Sequence, residues 1–156
     1  MIREKKHRLP LVAYRGFQVV SFTACIKLRT PFFTTPELFD NFKEMLLRGL
    51  REYECASDIY LFMPDRTHII CRGQSETADT WRAMKAFKQY SGFWLAANRP
   101  SHRWQKDFYD HILRNDAAIE KHIWYILNNP VRAGLVDYWK DYPFKGSTLY
   151  NLDDWD

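Results

Sequence analysis

The sequence predicts an α+β fold, on two observations. Short runs rich in Val, Ile, Phe and Thr are interleaved with longer segments whose apolar residues recur every three or four positions. At 156 residues, 46% of them hydrophobic, the chain suits one domain and has enough apolar material to fill its core.

The elements follow in order. Residues 18–28 (QVVSFTACIKL) alternate Phe22, Ala24 and Ile26 with Thr23, Cys25 and Lys27, which predicts a strand. Thr35-Pro36-Glu37 is a helix start: a capping hydroxyl, proline at the first helical position and an acid in the first turn. Leu38, Phe42, Met45, Leu46, Leu50 and Tyr53 then form an apolar stripe. Residues 58–63 (DIYLFM) and 67–71 (THIIC), separated by Pro64-Asp65-Arg66, predict a hairpin with a proline-initiated turn.

A second helix is expected over 77–91, ended by Gly92, with Trp81, Met84 and Phe87 on one side and Arg82, Lys85 and Lys88 on another. The aromatic stretch 104–113 predicts a strand around 106–111. A third helix runs from the capping Asn115 to Asn129, where Pro130 favours a stop, and Ile119, Ile123, Ile126 and Leu127 form its buried stripe. The rest is loop-rich, with Gly134 and Gly146 as turn residues. The order β, α, β, β, α, β, α predicts a ferredoxin-like antiparallel sheet with helices on one face, plus an additional helix carrying Tyr125.

Aromatic residues make up 17% and the net charge is +4, which suits a nucleic-acid partner. From Asp137 onward two lysines face five aspartates, a balance of −3, so residues 1–136 carry +7. Three parts are expected: a basic arm over 1–10, one domain over 11–148 and an acidic tail over 149–156. No run reaches the ~18 apolar residues of a membrane span. No apolar core follows Arg3, Lys5, Lys6 and Arg8, so a secretory leader is not expected either. Cys25, Cys55 and Cys71 are odd in number and widely spaced, which fits buried thiols in a reducing cytoplasm.

Two constellations carry chemistry. Arg66 and His68 are two apart on a strand and project to the same side, about 6.5–7 Å apart. Two histidines so placed would make a metal-ligand pair, but arginine keeps its proton and cannot ligate. Alone, a histidine such as His68 is more often a hydrogen-bonded structural residue than a ligand. On the third helix His122, Tyr125 and Asn129 share one side at steps of three and four. A tyrosine can act as a nucleophile and an asparagine can offer a metal its amide oxygen. The plainer alternative is a tyrosine with its hydroxyl in water and an asparagine that caps the helix.

Three segments carry a family resemblance. MPDRTHII (63–70) resembles the MPNHxHLL strand motif of the REP-associated tyrosine transposases, members of the HUH single-strand transposase superfamily. RWQKDFYDHILR (103–114) is similar to that family's tryptophan-to-DHxIR segment, and HIWYILNNPVRAGLV (122–136) to its YIxxNPVxAGLV signature. The resemblance covers roughly residues 12–148. It implies that Tyr125 attacks a DNA phosphate, forming a 5′-phosphotyrosine and releasing a 3′-hydroxyl. It also implies that His68 and Asn129 ligate Mg²⁺ or Mn²⁺. The implied substrate is single-stranded DNA beside an imperfect hairpin, as in bacterial repetitive extragenic palindromes. Relatives include monomers and homodimers.

One departure stands out: the family's first histidine falls on Arg66. Three outcomes follow. His111 or His122 completes a modified metal site, Arg66 itself contacts the phosphate, or cleavage is lost and DNA binding remains as an impaired or domesticated function. Binding residues are expected in the Arg3, Lys5, Lys6 arm, in Arg82, Lys85 and Lys88 as a phosphate-tracking face, and in Trp104, Phe108 and Tyr109 as base platforms, with core packing the favoured single role for Trp104 and Phe108. A competing class is a ferredoxin-like protein binding RNA on its sheet, for which Tyr60 and Phe62 are the available aromatics.

Overall fold

A computed structural model of the protein describes residues 10–156. The basic arm residues Arg3, Lys5, Lys6 and Arg8 lie outside the described residues. Five strands form one antiparallel sheet: β1 (Val19–Cys25), β2 (Cys55–Met63), β3 (Arg66–Gly73), β4 (Tyr109–Ile112) and the short β5 (Lys145–Gly146), in the order β4-β1-β3-β2-β5. The predicted α+β architecture is what the chain adopts. β2 and β3 are the expected hairpin, closing with Met63 opposite Arg66.

The additional helix defines the architecture. All seven residues of β1 are buried, so both faces of the sheet are covered. Helices α1 (Pro36–Glu52) and α2 (Thr80–Asn98) pack on one face over Phe22, Ala24, Phe62 and Ile69. Helix α3 (Asp116–Leu127) packs Ile119, Ile123, Ile126 and Leu127 on the other face, over Val19, Ile59, Leu61, Met63 and Ile70. Strand residues of alternate parity therefore feed two separate cores, as the period-two geometry of a strand requires. At about 1.5–3 kcal/mol per buried large apolar side chain, each core is a substantial share of the folding energy.

Three boundaries differ from expectation. Helix α2 begins at Thr80, because the Asp79 side chain accepts from Arg82 N–H at 2.9 Å. The expected start, Thr77, instead donates its hydroxyl to Glu54 at 2.6 Å. Gly92 does not end the helix, which continues with Leu95 seated in the first core. Strand β4 starts at Tyr109, three residues after the expected start at 106; the carbonyls of Gln105 and Lys106 turn to the Lys88 ammonium at 2.7 and 3.1 Å.

Beyond Leu127 a short helix α4 (Asn129–Arg132) begins with Asn129 and Pro130, so proline redirects the helix without ending helical structure. The following segment returns to the second core. Trp139 and Tyr142 are buried there, and Trp155 packs against Trp124 of α3 at 5.4 Å between ring centroids. No helix among the described residues is long and apolar enough to cross a membrane.

Candidate functional site

Strand parity and register assemble the site. In β3, Arg66 and His68 share the α3-facing side of the sheet. The register sets Thr23 of β1 opposite His68 on one flank and opposite Tyr109 on the other, with Ser21 opposite His111. These residues therefore face α3 together. One turn separates Tyr125 from Asn129, and both join His122 at the rim of the same open pocket of about 220 Å³. The structure thus brings Arg66, His68, His111, His122, Tyr125 and Asn129 to one cleft, with Tyr109 and Asp110 also lining it.

His68 is 7% exposed and all but closed off by its neighbours. Arg66 donates its Nε–H to His68 Nε2 at 3.2 Å, so that nitrogen is the unprotonated acceptor of the ring. Nδ1 then carries the proton and donates to Thr23 Oγ1 at 3.1 Å. Burial, followed by the charge of Arg66, lowers the His68 pKa to about 3, so the ring stays neutral at physiological pH. The Asn129 amide nitrogen also lies 2.7 Å from His68 Nε2. Its orientation is set from behind by Arg132, which donates to Asn129 Oδ1 at 3.2 Å.

Tyr125 projects from this floor and is 55% exposed. Arg132 lies over its ring at 4.0 Å from the centroid and donates to the Tyr125 carbonyl at 2.6 Å. On the other side the His122 ring stacks at 5.9 Å and 21°. His122 Nε2 is 2.7 Å from Ser21 Oγ, which anchors it to the sheet. Burial and the nearby His111 both hold His122 below its ordinary pKa, so it too favours the neutral form. Asp110 receives a hydrogen bond from the Tyr14 hydroxyl beneath the cleft.

Sequence reasoning missed Arg132, and with it the orientation of Asn129. The available signal was spacing: Arg132 is three residues after Asn129 and seven after Tyr125, two steps that return to one helical face. Other expectations need correction. Trp104 is not a base platform: it is buried among Phe33, Phe42 and Phe87, and its Nε1–H donates to Ser91 Oγ at 2.8 Å. Phe108 is equally enclosed, edge-on to Phe22 and Trp81. Tyr60 and Phe62 lie beneath Phe39, which removes the sheet-face platform that RNA binding would need. Arg82, Lys85 and Lys88 sit on α2, across the sheet from the cleft. Arg82 and Lys85 are exposed there, Arg82 beside Asp79 at 3.7 Å, while the Lys88 ammonium is engaged by backbone carbonyls.

The donor set does not fit a divalent metal. The Nε2 lone pair of His68 is turned to two N–H donors, and the Asn129 oxygen is turned to Arg132. A fixed guanidinium charge stands where the family motif has its first histidine. Among the described residues no group of three or more His, Cys, Asp or Glu is arranged to hold a metal ion. His111 and His122 reach the cleft but do not complete a site with His68.

No family model matches the chain. A Haemophilus influenzae protein named as a REP-associated tyrosine transposase is 24% identical over 139 residues, covering 79% of this chain and 76% of its own length. The REP-associated tyrosine transposase of Escherichia coli K12 is 25% identical over 126 residues, covering 79% and 72%. The chain is similar to REP-associated tyrosine transposases over most of its length. A solved structure of a REP-associated tyrosine transposase bound to a REP hairpin shares the fold, with a TM-score of 0.74 at 22% identity over 91% of this chain and 82% of the other. Against the strand motif that residues 63–70 resemble, the chain departs locally, at Arg66, on a shared fold.

Proposed function

We propose that the protein binds single-stranded DNA bearing a REP-like hairpin and holds one phosphodiester in the cleft, with Tyr125 as the nucleophile of strand transfer. The observation that carries this reading is the exposed Tyr125 side chain above the floor of His68 and Asn129, held between Arg132 and His122. In the step proposed, the phenolic oxygen forms a bond to phosphorus and the bond from phosphorus to the 3′ oxygen breaks. The phenolic proton ends on the departing 3′ oxygen, leaving a 5′-phosphotyrosine. The relatives' names and the hairpin-bound neighbour support DNA of this kind as the partner.

A second reading, binding without cleavage, is favoured by Arg66 and the occupied Nε2 of His68. One assay separates them. Labelled hairpin DNA is incubated with the wild type and with Tyr125→Phe, each with and without Mn²⁺. An adduct stable to denaturation and absent from the variant supports strand transfer. Tight binding by both proteins with no adduct selects the second reading. Failure of either protein to prefer hairpin DNA over a scrambled strand removes both.

A further inference from the structure

We propose that Arg66 takes over the charge role of the metal, so that this cleft grips a phosphodiester without any divalent ion. The inference rests on the proposed DNA-binding reading and specifies how that site recognises phosphate. Its basis is the way the guanidinium is held. Asp65 accepts from Arg29 Nε at 2.8 Å on one oxygen and from Arg66 Nη1 at 2.7 Å on the other. His68 takes the Arg66 Nε–H at 3.2 Å. Two edges of the fork are thereby fixed by residues of the turn and strand that carry it. Among the described residues no hydrogen bond to protein uses Nη2, and Arg66 lines the open pocket.

A guanidinium so restrained is pre-organised for a phosphate oxygen. An arginine that served only to close the β2–β3 turn would need Asp65 alone. Here its second anchor is inside the cleft, on the atom a metal would require. Arg132 adds a second fixed cation over the Tyr125 ring and behind Asn129. A divalent ion would enter beside two guanidinium groups and find the two best donor atoms already turned away.

The test uses the full chain, Mn²⁺ alone as the metal probe and a REP-like hairpin oligonucleotide as the DNA probe. Electron paramagnetic resonance should show no stoichiometric Mn²⁺ binding by the wild type, and one Mn²⁺ per chain in Arg66→His. Hairpin affinity by fluorescence anisotropy should agree within about twofold in EDTA and in Mn²⁺. Arg66→Ala should lower it at least about tenfold and flatten the salt dependence by about one log unit per log salt. Arg66→Lys keeps a charge and should restore the salt slope without the full affinity, with thermal melts showing that each variant folds. Stoichiometric Mn²⁺ binding by the wild type, or a tenfold loss of its hairpin affinity in EDTA, overturns the proposal while the DNA-binding reading stands. Absence of hairpin binding in both conditions overturns that reading and this inference with it.

Discussion

His68 pairs a place in the candidate site with a folding constraint. In the unfolded chain its imidazole takes a proton near its ordinary pKa of 6.5, whereas in the fold it resists protonation down to about 3. Between those values the unfolded state binds more protons, so stability falls as pH falls through that window. Above it, this histidine contributes no pH dependence. His122 shifts in the same direction and adds to the effect. Urea unfolding at about pH 7 and about pH 4 should show a larger loss for the wild type than for His68→Gln; equal losses would show that His68 titrates normally in the fold. The pairing of Arg66 with His68 was legible in the sequence because strand period alone puts residues i and i+2 on one side. What Arg66 touches was not, since Asp65 holds it through a turn and Arg29 reaches that turn from the end of β1.

Elements were legible where periodicity and caps agreed. Helix α1 starts at Thr35-Pro36 as its signature predicts, with the Thr35 hydroxyl accepting from Leu38 N–H at 3.3 Å. Helix α3 is capped by Asn115, whose side chain accepts from Ala118 N–H at 2.8 Å. Gly92 misled because glycine is only a weak breaker where neighbouring residues keep packing, and Leu95 does. Trp104 misled because an aromatic flanked by cations looks alike in a binding face and in a core with a charged rim. Gly49 had no signal at all. A Cβ there would lie 2.8 Å from the Ala83 carbonyl and 3.3 Å from the Phe87 nitrogen, so its missing side chain sets how closely α1 and α2 approach. Gly49→Val should force the helices apart and cost about 1–3 kcal/mol in denaturant unfolding. A variant as stable as the wild type would show that the helix pair has slack.

At the scale of the molecule, one sheet serves two cores, and the candidate site lies at the margin of the second. Composition alone could not show this, because basic charge and aromatic content suit many arrangements. The two-sided burial of β1 is what demands a helix on each face. No direct hydrogen bond joins the Tyr125 and His68 side chains among the described residues; their spacing is set by Ile123, Ile126 and Leu127 seated on the sheet, together with the link through Arg132 and Asn129. That seating has an outer brace. Trp155 closes over Trp124 and Tyr150, and Tyr150 in turn donates to the buried Asp58 at 3.1 Å. Trp155→Ala should raise amide exchange in α3 while leaving α1 and α2 protected; unchanged exchange in α3 would make the brace ornamental. The brace belongs to a segment rich in aspartate, so negative charge and the seating of the helix that carries Tyr125 are written into the same few residues.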